Sequence, residues 1–261
     1  MAGYLTWLAD ACRDTGYPVV EVADWRARGH GPMTAAHGVV GHWTAGPTQA
    51  ATKLNTPSLR VVTDGRTGLL GPLCNVYTAF DGTLYVVAAG KAYHAGVSDW
   101  HGETDLNNTF LGNEVESPGG FVYTDAQLDV TPRLHAALLR RMGHDASWSC
   151  AHFECAEPPG RKPDGPARDM PGFRRQVGGY LANPSTIRKQ QEEDMPLTDD
   201  DVDKVANAVV KKLGEGKGYA THTDIVTVLR GPSEPNSLDK LGATLGRIED
   251  AVTPTPPTPG A

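Results

Sequence analysis

The feature that most constrains this chain is a set of polar side chains that lie far apart in sequence yet suit one metal ion. His152 and Asp164 lie within the stretch 150–164, which three prolines stiffen. His42 lies far upstream, at the end of a short apolar run. If these three residues bind one zinc ion, the intervening chain must fold so that His42 meets the 150–164 stretch.

The metal interpretation rests on side-chain chemistry. Two imidazoles and one carboxylate suit zinc and leave its fourth position open, as catalytic zinc sites require. Lys162 precedes Asp164 by two residues, so in an extended segment both side chains point the same way and the cation could stabilise an oxyanion. Ligands this distant in sequence leave alternatives open: His42 as a hydrogen-bonded core histidine, and Lys162 as a surface lysine.

Cysteines also flank His152, at Cys150 and Cys155. Their spacing is not that of a standard zinc pair, and we expect packing thiols. The chain has four cysteines, too few and too scattered for a disulfide framework.

Local patterns predict both strands and helices. An Asp81-Gly82 turn between β-rich runs is typical of a tight antiparallel hairpin. Apolar periodicity in 124–142 predicts a helix that Pro132 could divide. The remaining predicted elements are strands over 38–46, 107–118 and 148–152 and helices over 4–13, 48–54 and 169–181.

Two further groups of polar residues are candidates for a site. Glu114 and Glu116 share one face of a predicted strand, which indicates either a polar cleft or a strand at the sheet edge. His94 lies among small residues at 92–96, where a ligand could approach the backbone, although it could equally be a loop histidine without a task.

Composition excludes several classes of protein. The formal net charge of −7 over 261 residues argues against a general nucleic-acid binder. No apolar run reaches the roughly 18–20 residues that a membrane span needs. The first residues lack the basic start of a secretory signal, so we expect synthesis in the cytoplasm with reduced thiols.

The last third of the chain differs in character. We expect a catalytic domain over 1–182, a polar linker over 183–196 and a small helical module over 197–252. The tail 253–261 is rich in proline and is expected to be disordered. The module's amphipathic helices could pair with each other, self-associate or bind a surface.

The order and spacing of several motifs carry a resemblance to a known family. The chain resembles the zinc-dependent N-acetylmuramoyl-L-alanine amidases of the phage lysozyme and peptidoglycan-recognition type. This resemblance implies an α/β fold with a central mixed β-sheet flanked by helices, Zn²⁺ as cofactor and bacterial peptidoglycan as substrate. The motifs that carry it are Val-Val-Gly-His42-Trp-Thr-Ala, Tyr93-His94-Ala-Gly, Leu111-Gly-Asn-Glu114-Val-Glu, Ala151-His152 and Pro159-Gly-Arg-Lys162-Pro-Asp164.

The resemblance assigns roles to individual residues. His42, His152 and Asp164 match the zinc ligands. Lys162 matches the lysine that stabilises the oxyanion, and Glu114 matches the general base of some branches of the family. His94, Asn75 and Trp43 are then predicted to contact substrate.

One position departs from the family. Other branches use a tyrosine at the start of the first hairpin strand, and that position is Cys74 in this chain, followed by Asn75. Tyr77 is nearby but is expected to be out of register. The departure favours Glu114 as the base.

The resemblance implies hydrolysis of the amide between N-acetylmuramic acid and L-Ala. With the extra C-terminal module, it favours a phage endolysin that reaches the wall after release through a holin. Two alternatives are a non-catalytic peptidoglycan receptor of the same fold and a host amidase of wall recycling.

Overall fold

The computed structural model describes residues 3–183, so the predictions for 184–196, 197–252 and 253–261 lie outside the described residues. This part of the chain contains both helices and short strands. In order they are α1 (Leu8–Arg13), β1 (Val19–Glu21), β2 (Gly38–Trp43), α2 (Gln49–Thr52), α3 (Leu59–Asp64), β3 (Gly65–Arg66), β4 (Leu69–Leu70), β5 (Val76–Thr78), β6 (Leu84–Val86), α4 (Leu106–Thr109), β7 (Phe110–Val115), α5 (Asp125–Met142), a 3-10 turn (Ala146–Trp148), β8 (Ser149–Ala151), α6 (His152–Cys155) and α7 (Met170–Ala182). Within the described range, no helix is both long and apolar enough to span a bilayer.

Six strands form one mixed sheet in the order β1-β6-β5-β7-β2-β8. The β5–β6 hairpin is its antiparallel pair, and the other neighbours run parallel. The predicted mixed sheet and the predicted hairpin are therefore confirmed. Because β7 lies between β5 and β2, the edge-strand explanation for Glu114 and Glu116 is wrong.

The two faces of β2 meet different partners. Successive side chains of a strand point to opposite faces. Val39 lies in the main apolar core, with Leu138 of α5 and Val177 of α7. Val40 lies in a smaller cluster that includes Ala95. His42 follows Val40 at a period of two, so it projects away from the helix-covered face.

Helix α5 runs without a break through Pro132. It begins with a capping box in which Thr124 and Gln127 bond each other's backbone. A proline inside a helix costs about 3 kcal/mol, but residues on both sides of Pro132 are buried. Their packing outweighs that cost, so the predicted division is absent. Leu128 is one of the apolar residues whose spacing predicted this helix, but its side chain is 53% exposed.

Candidate metal centre

Strand pairing brings the two distant histidines together. Strands β2 and β8 run parallel, with Gly41 opposite Ala151. His42 and His152 each come one residue later and are both almost fully buried. The Phe153 amide donates to the Asp164 carbonyl at 2.9 Å, which draws the 150–164 stretch back onto the same place.

The three residues predicted as metal ligands converge on one point. The Nδ1 atoms of His42 and His152 are 3.0 Å apart. The Oδ2 atom of Asp164 lies 3.0 Å from the first and 2.9 Å from the second. Among residues 3–183, no other group of three or more His, Cys, Asp or Glu side chains could hold a metal ion in this way.

A hydrogen bond on the far side of each histidine ring determines which ring nitrogen carries the proton. The Nε2 atom of His152 lies 2.9 Å from the carbonyl oxygen of Ala95, to which it donates. The Nε2 atom of His94 donates to the carbonyl of Phe110 at 3.2 Å, so neutral His94 accepts at Nδ1. That Nδ1 lies 3.1 Å from Nε2 of His42, which is therefore the donor.

These tautomers leave the converging atoms without protons. Burial, with the charge of His152, lowers the pKa of His42 to about 4, so its ring is neutral at pH 7. Burial alone would raise the pKa of Asp164, but the adjacent His152 and His42 side chains hold it well below its usual range. Two imidazole lone pairs and one carboxylate thus face each other at about 3 Å. Such a donor set fits a divalent cation.

Glu114 lies beside this centre on the neighbouring strand. It is the register partner of His42 in the β2–β7 pair. Its Oε2 atom is buried and has no hydrogen-bond partner in the described part of the chain. Burial, together with the charges of Asp164 and Glu116, raises the pKa of Glu114 well above its ordinary value. The group is suited to hold and release a proton.

Lys162 supplies positive charge to the same region. Its charge opposes protonation of His42 and favours the ionised form of Glu114. Its side chain is half-buried, and within residues 3–183 it forms no ion pair. The predicted oxyanion role therefore has a cation near both the metal position and the candidate base.

Glu116 has a different environment from Glu114. It is fully buried and accepts four hydrogen bonds, from Thr44 Oγ1, Ser58 N, Ser58 Oγ and Tyr77 Oη. Tyr77 is also the register partner of Glu114, and its expected displacement from the position of the family's tyrosine stays a prediction. The Tyr77 hydroxyl is committed to Glu116 at 2.5 Å.

The three residues predicted to contact substrate differ in their burial and in their position relative to the centre. Asn75 is fully buried, and its amide bonds Ala88 O, Gly90 O and Gly112 N, so the prediction that it contacts substrate is wrong. His94 is 9% exposed and lies behind His42, where it orients that ring instead of lining an open groove.

Trp43 lies on the opposite face of β2 from His42, as strand alternation requires. Its half-buried ring meets Phe121 edge-on, with 4.6 Å between the ring centroids. Contact between Trp43 and substrate stays a prediction. Cys150 and Cys155 are free thiols buried in an apolar cluster, which confirms the expected packing role.

The sequence did not reveal three contributors to the centre. The carbonyls of Ala95 and Phe110 fix ring protons, but backbone acceptors carry no sequence signal. Tyr123 donates its hydroxyl hydrogen to the carbonyl of Gly165, next to Asp164. The only sequence signal at Tyr123 is that it directly precedes Thr124, the N-cap of α5, which indicates an ordered position.

Comparison with known proteins extends this picture. AmpD of Salmonella typhimurium, a 1,6-anhydro-N-acetylmuramyl-L-alanine amidase, is 36% identical over 94 residues, covering 36% of this chain and 49% of that protein. The AmpD of Escherichia coli K12 is 36% identical over 91 residues, covering 34% and 49%. The chain therefore spans about half the length of the curated relatives that it matches.

Among solved structures, the N-acetylmuramyl-L-alanine amidase AmiD of E. coli, in complex with the substrate anhydro-N-acetylmuramic acid-L-Ala-D-gamma-Glu-L-Lys, is 19% identical. The match covers 86% of this chain and 91% of that one, with a TM-score of 0.41. The family model for N-acetylmuramoyl-L-alanine amidases (Amidase_2) matches residues 32–168 of 261, and all three converging residues fall within this range. Since this match covers more than half of the chain, the protein belongs to the N-acetylmuramoyl-L-alanine amidase family.

Proposed function

We propose that this protein hydrolyses the amide bond between N-acetylmuramic acid and L-Ala in peptidoglycan, with zinc held by His42, His152 and Asp164. The observation that carries the proposal is the convergence of their three unprotonated ligand atoms at about 3 Å. Family membership supports the substrate class.

The ligand set suits zinc chemistry. Two nitrogens and one oxygen leave a coordination position for water or substrate. When bound, zinc supplies a Lewis acid that polarises the amide carbonyl and makes water acidic. Three protein contributors then keep the ligands in place: the Ala95 carbonyl, His94 and the Phe110 carbonyl.

Glu114 and Lys162 act on the substrate side of this centre. The Glu114 carboxylate takes a proton from the attacking water and returns it to the leaving L-Ala nitrogen. Lys162 offsets the negative charge that develops on the carbonyl oxygen. The two roles are compatible because the charge of Lys162 favours the ionised form of Glu114.

Two biological settings would use this reaction. The relatives named as 1,6-anhydro-N-acetylmuramyl-L-alanine amidases support a soluble anhydromuropeptide, as in wall recycling. A phage endolysin, made in the cytoplasm and released to the wall, is the second candidate, favoured by the C-terminal module predicted from sequence. A non-catalytic receptor is disfavoured by the complete ligand set together with Glu114 and Lys162.

Mass spectrometry of digests tests the reaction. Purified sacculi and soluble anhydromuropeptides are each incubated with the metal-free protein, with and without added zinc. New L-Ala amino termini that require zinc support the proposal, whereas new reducing sugars would refute it. Asp164→Asn should abolish cleavage and zinc uptake, and Asp145→Asn, at an exposed position, is the matched control.

Faster turnover of the soluble muropeptide than of sacculi would favour recycling. The opposite preference would favour the endolysin.

A further inference from the structure

The segment 164–168 carries Asp164 across the end of the sheet, and it packs there without spare room. The Pro166 ring lies over Gly41, where an added Cβ would come within 2.5 Å of it. A Cβ on Gly165 would lie 2.4 Å from the Cβ of Ala151 and 3.1 Å from the Phe153 ring. These contacts press the segment against the residues that directly precede or follow His42 and His152.

A second loop, 117–123, closes over this segment. Tyr123 donates its hydroxyl hydrogen to the carbonyl of Gly165, the residue that follows Asp164. Arg168, at the other end of the segment, places its guanidinium 4.7 Å from the centroid of Phe121. The loop thus contacts the segment on both sides of Pro166.

Phe121 connects the same loop to the sheet and to α6. Its ring lies edge-on to Trp43 of β2 and to Phe153 of α6, with centroids 4.6 and 6.1 Å apart. Trp43 and Phe153 each directly follow a proposed ligand in sequence. One aromatic side chain therefore touches the neighbour of His42 and the neighbour of His152.

The backbone at Phe121 is unusual for such a bulky residue. Its φ is 64°, in the left-handed region that non-glycine residues rarely adopt. Two glycines with positive φ precede it, Gly119 and Gly120. A strained conformation persists only where surrounding contacts over-determine it, and such positions cluster at functional sites. The contacts of Phe121 with Trp43, Phe153 and Arg168 are of this kind.

We propose that the 117–123 loop is a brace for the metal centre, in which Tyr123 and Phe121 are positioning residues that hold Asp164 against His42 and His152. Without the Tyr123 hydrogen bond, the Gly165 peptide can rotate and carry the Asp164 carboxylate away from the histidine nitrogens. The inference rests on the metal site of the proposed function but does not require the amidase reaction.

Metal affinity of the full-length protein tests the brace. Tyr123→Phe removes one hydroxyl and keeps the ring. Zinc dissociation constants are measured by competition with a chromophoric chelator, and ligand geometry is read from the visible spectrum of the cobalt-substituted protein. We expect zinc to bind ~10–100-fold more weakly, the range typical of partners that orient ligands, with an altered cobalt spectrum. Tyr17→Phe is the control, since that hydroxyl donates to Asp129 instead.

A metal-free measurement gives a second readout. The Phe153 amide donates to the Asp164 carbonyl, so its hydrogen exchange reports the closure of the segment. Exchange should be faster in Tyr123→Phe than in the wild-type protein. Phe121→Leu, which keeps an apolar side chain, is the alternative variant should Tyr123→Phe not fold, and its affinity should fall in the same direction.

The outcomes separate this inference from the proposed function. A wild-type protein that takes up no zinc would refute the proposed metal site. A wild-type protein that binds zinc, with folded variants of unchanged affinity and unchanged Phe153 exchange, would overturn the brace alone.

Discussion

His42 and Glu114 occupy facing register positions on β2 and β7, and burial shifts their proton affinities in opposite directions. It lowers the pKa of His42 to about 4 and raises the pKa of Glu114 well above its usual range. Both shifts favour the uncharged form, as expected for groups removed from water. A neutral imidazole can bind a metal ion, and a carboxyl group with a raised pKa is a better proton acceptor than one with the ordinary value.

Replacing Glu114 by Gln should remove proton transfer and leave metal binding intact. The amide keeps the shape of the side chain but cannot accept the proton, so kcat should fall ~10²–10⁴-fold, the usual contribution of a general base. Zinc content should stay at the wild-type level because Glu114 is not among the three ligand residues. Kinetics and elemental analysis on the same preparation check both points. Glu103→Gln is the control, and full activity in Glu114→Gln would assign the base elsewhere.

The effect of burial on the pKa of a histidine can be tested at His135 through the pH dependence of stability. Its ring is fully buried, with Nδ1 2.7 Å from the hydroxyl oxygen of Ser149, and burial lowers its pKa from 6.5 to about 3. Between these values the unfolded chain binds a proton that the folded protein does not. The free energy of unfolding should therefore fall as pH drops through this window, by up to ~1.4 kcal/mol per pH unit.

Urea unfolding of metal-free protein at about pH 7 and about pH 5 measures this effect. His135→Gln removes the titrating group, so its loss of stability between the two conditions should be smaller than that of the wild-type protein. His101→Gln, at an exposed position, should behave like wild type. Equal losses in all three proteins would show that His135 does not titrate differently on unfolding.

At the scale of elements, local sequence patterns were sufficient to locate individual strands and helices. They did not predict which segments lie next to one another in the fold. The Asp81-Gly82 turn and the buried run of β2 could be located because their signals lie within a few residues. Asn75 was misassigned because its partners, Ala88, Gly90 and Gly112, belong to other segments. The interior role of such a side chain depends on pairing that no local pattern contains.

In the candidate site, too, some residues could be predicted from local motifs and others could not. His42, His152 and Asp164 could be named because their motifs are specific, and the sheet register then brought them together. The role of His94 behind His42 could not be predicted, since it depends on the Phe110 carbonyl and on the tilt of two rings.

Strand β2 also carries a position where one methyl group should disturb the centre. Gly41→Ala would place its Cβ within 2.5 Å of the Pro166 ring, so the segment with Asp164 must shift. We expect a loss of stability of about 1–3 kcal/mol and weaker zinc binding, measured by urea unfolding and chelator competition. Gly179→Ala on α7 is the matched control, because nothing lies within 4 Å of its added Cβ. That variant should keep wild-type affinity and gain up to ~1 kcal/mol, and equal affinity in both variants would contradict the steric argument.

At the scale of the whole molecule, the family match at 32–168 lies inside the described residues 3–183. The sheet, the flanking helices α1, α5 and α7, and every proposed ligand belong to this range. The predicted fold class is therefore confirmed for the part of the chain that contains the centre. The predicted linker and C-terminal module stay predictions.

A truncated protein ending at residue 185 tests which activities belong to the catalytic domain and which need the residues that follow it. It contains all the described elements and the whole metal centre, so it should bind zinc and cleave soluble anhydromuropeptide with the kcat/KM of the full chain. If the remaining residues bind the cell wall, cleavage of sacculi and cosedimentation with them should fall on truncation, while turnover of the soluble substrate stays constant. If they mediate self-association, the change should instead be in molar mass, measured by light scattering. Loss of zinc binding on truncation would refute the assignment of an independent catalytic domain to residues 1–182.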